Sequence, residues 1–289
     1  MNMVGETVKQ IRLSKNYKQS EVSKNIMHQT SYSKFELENI EISYQKFHKI
    51  LDNLEMDLEE FKFVHYGYDY SPRDKIIRNF FQIKFIDIRS LNEIISASKV
   101  YLMENDDRYI EDILSISRGL INIEESGNFE SARSYAEKVW KRLEKLDTWY
   151  LSDFKLIGVI LFLFPIETAV SITNYALKQS EKYENYIDYK KIFIPFKYNL
   201  VQLLIRKKLL IQANSLNEDV LTDLKEQKAY PQIALCYIRK GLLENLLNKS
   251  NGDKAINKAF DIAEVMEDEN LKVQLEQERS YLENVLEID

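Results

Sequence analysis

Apolar residues recur along most of this chain at intervals of three and four, the period of a helix with one buried face. Val4, Val8 and Ile11, with Leu13 nearby, mark a first helix over 4–15. Asn16-Tyr17-Lys18 breaks that pattern, and a second short helix runs from Gln19 to Ile26 with Val22 and Ile26 inward. His28-Gln29 is the expected turn, followed by a third helix over 30–37 with Tyr32 and Phe35 in the core. A fourth over 43–54 carries the stripe Phe47, Ile50, Leu51, Leu54. Asp57 then stands as an N-cap before Leu58-Glu59-Glu60-Phe61, the start of a fifth. Tyr66-Gly67-Tyr68-Asp69-Tyr70-Ser71-Pro72 reads as a linker, closed by Ser71-Pro72 as a cap with proline in the first helical turn. Beyond it the pattern stays helical, with longer elements at 107–125, 149–163, 187–206 and 231–248.

Between these long helices, small residues return at four-residue spacing. Gly127-Asn128-Phe129-Glu130-Ser131-Ala132 leads into Ala136 and Val139, Pro165 to Ala169 into Thr173 and Ala176, and Gly252 to Ala255 into Ala259 and Ile262. Arg118-Gly119 and Arg239-Lys240-Gly241 occupy similar places in two of the long helices. A period near 40 residues fits helix pairs stacked as a solenoid, resembling degenerate tetratricopeptide repeats, with an irregular bundle as the alternative.

Composition agrees with long helices and short loops, since 289 residues contain only 7 Gly and 4 Pro. The single cysteine, Cys236, excludes an internal disulfide and sits among core residues. Three histidines, no paired-cysteine motif and no Gly-rich phosphate loop argue against a metal site, a cofactor or an enzyme. The N-terminus lacks the basic-then-apolar pattern of a signal peptide, and the most apolar run, Leu156 to Phe164, is too short to span a bilayer. A cytoplasmic protein is therefore expected. The net charge of −6 changes meaning once it is mapped. Residues 1–35 hold six Lys/Arg and two Glu, net +4, whereas residues 36–66 hold three Lys and eight acids, net −5. Such a split orients a small domain on phosphates, although a solvated surface can also acquire it by chance.

Five short helices with a tight second-to-third connection are the plan of a helix-turn-helix domain. Ile11-Arg12, Gln19, the run Thr30 to Glu36 and the ending Leu54…Leu58…Phe61 resemble the phage-repressor-like (XRE or Cro/CI) family over residues 4–63. The resemblance implies that Gln19 and Lys18 meet DNA phosphates. It places Gln29, Thr30 and Lys34 in the major groove, and Ser31 and Ser33 on base edges or backbone. It also makes Arg12 and Glu36 a buried ion pair. Thr30 and Ser31 are also suited to cap the third helix, and Lys34 to a solvated position. The glycines usual after that glutamate and between the second and third helices are replaced here, by Glu38-Asn39 and by His28 or its neighbours.

Ser33 to Glu36, Glu41-Ile42-Ser43 and Ile50 to Leu54 before Leu58 to Phe61 further resemble the Rgg/GadR/MutR group of regulators. That likeness implies an all-α protein: a five-helix lambda-repressor-like head (1–66), a linker (67–74) and a right-handed tetratricopeptide-like body (75–289). It implies a homodimer that binds operator DNA under the control of a short hydrophobic peptide pheromone. In the body, Asn199, Gln202 and Arg206 form a polar stripe beside Phe196, Leu200, Leu203 and Leu204. With Arg118 and Arg239 they are candidate peptide ligands, since Asn bonds an extended backbone and Arg a carboxylate. A merely solvated stripe, or a body that binds a protein partner or another small ligand, stays open.

Overall fold

A computed structural model describes residues 3–83, 87–126, 128–186, 189–247 and 251–287, with only the backbone of residues 129 and 189–191. Gly127 of the first small-residue motif, positions 187 and 188 of a predicted helix, 248 of another, and the terminal residues 1, 2, 288 and 289 lie outside the described residues. Among the described residues every regular element is helical, and they divide into two compact units, Met1–Ser117 and Arg118–Asp289.

The first unit opens with five short helices: α1 (Val4–Ser14), α2 (Gln19–Val22), α3 (Gln29–Glu36), α4 (Tyr44–Asn53) and α5 (Leu58–His65). Their apolar stripes meet in one core of Val8, Ile11, Val22, Tyr32, Phe35, Ile50, Leu51, Leu54 and Phe61. The caps follow side-chain chemistry: Ser43 accepts from the Lys46 amide, Asp57 from that of Glu60, and Ser71 from that of Asp74. Helix α2 is shorter than its apolar pattern suggests, because Asn25 turns left-handed at φ 62°. Glu38 does the same at φ 60° after α3. These are two of the turns where a glycine would carry no strain. Gly67 (φ 73°) and Tyr68 (φ 62°) turn the chain out of α5. Then α6 (Pro72–Gln82) and α7 (Ile88–Leu102) pack together as a pair, and α8 (Arg108–Ser126) contains the boundary between the units.

The second unit continues with α9 (Phe129–Leu143), α10 (Leu151–Ile160, extended by a 3-10 turn over Leu161–Leu163), α11 (Ile166–Ser180), α12 (Tyr189–Arg206), α13 (Leu210–Glu226), α14 (Tyr230–Leu246), α15 (Gly252–Val265) and α16 (Glu269–Leu286). From α11 onward each helix packs on the next, and α10 on α12 and α14 on α16 as well. The even-numbered members α8 to α16 begin roughly every 40 residues, the repeat length of paired-helix solenoids. The small-residue motifs are contact points: Ala132, Ala136, Ala169, Thr173, Ala176 and Ala259 are fully buried. Gly241 lets α14 meet α15 closely, since a Cβ there would lie 2.5 Å from Ile256 Cγ1 and 2.6 Å from the Gly252 carbonyl. Around α10 the packing is aromatic. Trp149 meets Phe154 edge-on at 5.8 Å, and Phe154 meets Phe193 at 4.7 Å, geometries the ring quadrupole favours.

Candidate nucleic-acid interface and ligand face

Helix α3 has two unlike sides. Tyr32, Phe35 and Glu36 point into the core, while Gln29, Thr30 and Lys34 are exposed and Ser31 and Ser33 half-buried. Gln29 and Ser33, and Thr30 and Lys34, are each four apart, so these four share the outward face. The helix begins at Gln29 with His28 as N-cap, so neither Thr30 nor Ser31 caps it.

The inner side is held by a buried ion pair. Arg12 Nε donates to Glu36 Oε1 at 2.6 Å and Nη2 to Oε2 at 2.9 Å, while Nη1 reaches the Tyr17 carbonyl at 2.9 Å. This two-point fork fixes the rotation of α3 relative to α1. Burial by itself pushes the Glu36 carboxyl up. Hydrogen bonds from Arg12 and Gln19, with the charge of Arg12, outweigh it and hold Glu36 below the ordinary glutamate range. Gln19 is half-buried and donates from Nε2 to Glu36 Oε2 at 2.7 Å. One of its two amide hydrogens is thus committed inward to Glu36. Lys18 is exposed beside it, and its backbone N–H donates to Glu21 at 2.6 Å. Asn53, which sequence reasoning passed over, donates from α4 to the carbonyls of Val22 (2.8 Å) and Lys24 (3.3 Å). It closes the end of α2 and so positions the turn before α3. An asparagine near a helix end was its only sequence signal.

In the second unit, α12 is buried on most sides by Phe193, Phe196, Leu200, Val201, Leu203 and Ile205. Asn199 and Gln202 are half-buried and Arg206 is exposed. Spacings of three and four put them on one face with exposed Pro195. Arg118 is exposed on α8, a different helix.

Arg239 does not join that face. It is 2 % exposed, donates from Nε to Glu278 at 2.7 Å and from Nη1 to the Tyr198 carbonyl at 2.9 Å, and its guanidinium lies 3.9 Å from the Tyr198 ring centroid. It ties α12, α14 and α16 together, because a guanidinium taken out of water needs an anion and acceptors at once. A ligand carboxylate would have to displace Glu278.

Residues 97–277 match the model of the HTH-type transcriptional regulator Rgg, C-terminal domain. This chain belongs to the Rgg family. Solved structures share the fold at low identity. A candidate transcriptional regulator from Listeria monocytogenes EGD-e aligns at TM-score 0.76 and 20% identity, covering 98% of this chain and 97% of that one. PlcR of Bacillus thuringiensis, in complex with the peptide PapR7 and DNA, aligns at 0.72 and 17%, covering 94% and 98%. The Streptococcus dysgalactiae SHP pheromone receptor Rgg2 aligns at 0.70 and 15%, covering 96% and 99%. No curated protein matches by sequence. Among the described residues of this Rgg-family regulator, no cluster of three His, Cys, Asp or Glu could hold a metal ion. No helix among them is long and apolar enough to cross a membrane.

Proposed function

We propose that this Rgg-family regulator acts in the cytoplasm as a homodimer. It reads operator DNA with the outward face of α3 and is controlled by a short, largely apolar peptide. The division of labour follows the sequence: residues 1–66 as the DNA-binding head, 67–74 as linker, 75–289 as the peptide-binding and dimerising body. The observation that carries the reading is the two-sided α3. Its inner face is locked by Arg12 and Glu36, and its outer face offers only groups that donate or accept in a groove. Lys18 and the remaining amide hydrogen of Gln19 add phosphate contacts at the start of α2. Two heads on a dimer would read half-sites about 34–36 Å apart or a multiple of that.

Support for the peptide comes from two likenesses, to PlcR bound to PapR7 and DNA and to the SHP pheromone receptor Rgg2. In this chain Asn199 and Gln202 would bond an extended peptide backbone, and Arg206 and Arg118 its carboxylates. Arg239 would serve as the frame that holds α12 in place. Replacing Gln29 and Lys34 together by Ala should abolish operator binding in fluorescence anisotropy while sedimentation still shows the dimer. Operator affinity that survives this double change would rule out α3 as the reading helix. Protein purified from its own host should release a short peptide in mass spectrometry after denaturation. The Asn199→Ala/Arg206→Ala protein should release none. A wild type that carries no peptide and binds no candidate from the host peptidome would leave a body that serves protein partners.

A further inference from the structure

The outward side of α3 ends on an apolar residue. Leu37, the C-cap of α3, is 59% exposed, yet its N–H still bonds the Ser33 carbonyl at 3.2 Å, so it continues the helical path. At about 100° per residue, Gln29, Ser33, Thr30 and Lys34 fan over about 140° of the helix surface, and Leu37 falls near their middle, about 80° from Gln29. It lies about 12 Å along the axis from Gln29, close to the width of a B-DNA major groove. A leucine standing singly on a surface is ordinary. This one stands at the centre of a face whose other members all donate or accept.

The end of α3 is held from behind by α1. Gly5 lies so close that a Cβ there would collide with the Phe35 carbonyl. The next residue, Glu38, turns left-handed at φ 60°, and its carboxylate accepts from the Glu6 N–H at 3.0 Å, at the positive start of α1. The Asn39 N–H closes the last turn on the Lys34 carbonyl at 2.8 Å. Leu37 is therefore carried on a fixed backbone, and the carboxylate beside it in sequence is committed to α1. Nothing has to rearrange before an apolar group can meet it. A phosphate offers a leucine no partner. The apolar group that a major groove displays is the C5-methyl of thymine.

We propose that Leu37 packs its isobutyl group on a thymine methyl in each half-site, adding an apolar specificity determinant to the polar face of α3. The proposal rests on α3 as the reading helix. The test uses full-length protein and a promoter fragment that the wild type protects from nuclease. In a second series each thymine of the protected half-sites is replaced, one at a time, by dU, which keeps the groove hydrogen bonds and lacks only the methyl. At one thymine position per half-site, dU should weaken wild-type binding about fourfold per half-site, the scale of one buried methyl group. Leu37→Ala should bind the thymine fragment at least as weakly as the wild type binds that dU fragment, and should not distinguish the two DNAs. Each protein is compared with itself on two DNAs, so a change in folded fraction cancels. Three results overturn the proposal: a Leu37→Ala protein that keeps the full dU penalty, a wild type indifferent to dU at every position, or a Leu37→Ala protein that binds like the wild type. A penalty that persists in Leu37→Ala and disappears in Thr30→Ala is an instance of the first, and moves the methyl contact to Thr30. Failure of α3 itself would show separately, as operator affinity that survives Gln29→Ala/Lys34→Ala.

Discussion

Glu36 shows how one side chain can serve both stability and recognition. Its carboxylate accepts from Arg12 twice and from Gln19 once, at the root of the helix proposed to enter the groove. Its folded pKa lies below the ordinary value of about 4.3, so its contribution is complete above that pH and is lost as pH falls through the lowered value. The thermal midpoint of the head should therefore drop on acidification below the ordinary glutamate range. Glu36→Gln should remove that acid limb. At neutral pH it should cost roughly 3–5 kcal/mol, because Arg12 stays buried without its partner charge. Urea unfolding at several pH values reads both effects. The pairing of Arg12 with Glu36 was visible in sequence only through family resemblance. The commitment of Gln19 to Glu36 was not visible, because no spacing rule says where an amide on another helix will point.

Among the elements, the glycines separate close packing from mere tolerance. Gly241 faces the start of α15, and a methyl group there would collide with Ile256 and with the Gly252 carbonyl, which is backbone and cannot rotate away. Gly241→Ala should destabilise by about 1–3 kcal/mol, the usual cost of overpacking. Gly158, inside α10, is the contrast: a Cβ there would rest 3.7 Å from the Phe196 ring, an ordinary contact. Gly158→Ala should stabilise by up to about 1 kcal/mol through helix propensity. Chemical denaturation of the two variants should give opposite signs. Equal destabilisation would mean that α10 and α12 pack more tightly than the structure shows. The similar placing of Gly119 and Gly241 was legible from sequence, and both sit against the following helix: a Cβ at Gly119 would lie 3.1 Å from Tyr135 Cβ.

For the whole molecule, the charge map governs how DNA binding responds to salt. A regulator that neutralises six to ten phosphates should lose about 10³–10⁵ in affinity between 50 and 200 mM salt. Lys34→Ala separates two roles on the same plot. If Lys34 meets a phosphate, removing it lowers the salt slope by about 1 and weakens all sequences alike. If it meets a base, the slope stays and preference relaxes at one position. Titrations of wild type and variant over a salt series distinguish them, and a variant identical to wild type would place Lys34 off the duplex.

Sequence alone determined the helical class, the caps at Asp57 and Ser71, the small-residue contacts of the body and the opposed charges of the head. Each of these is local: periodicity, a cap and a charge run are properties of neighbours along the chain. Tertiary structure alone decided the fate of long polar side chains whose partners lie far away. Arg239 reads like a groove-lining arginine until Glu278 and the Tyr198 carbonyl, 39 and 41 positions away, are seen to enclose it. Asn53 reads like any helix-end asparagine until it closes α2 from 31 positions away. A helical period tells which face of a helix is buried, but only packing tells against what, and for a charged or amide group that partner sets the role.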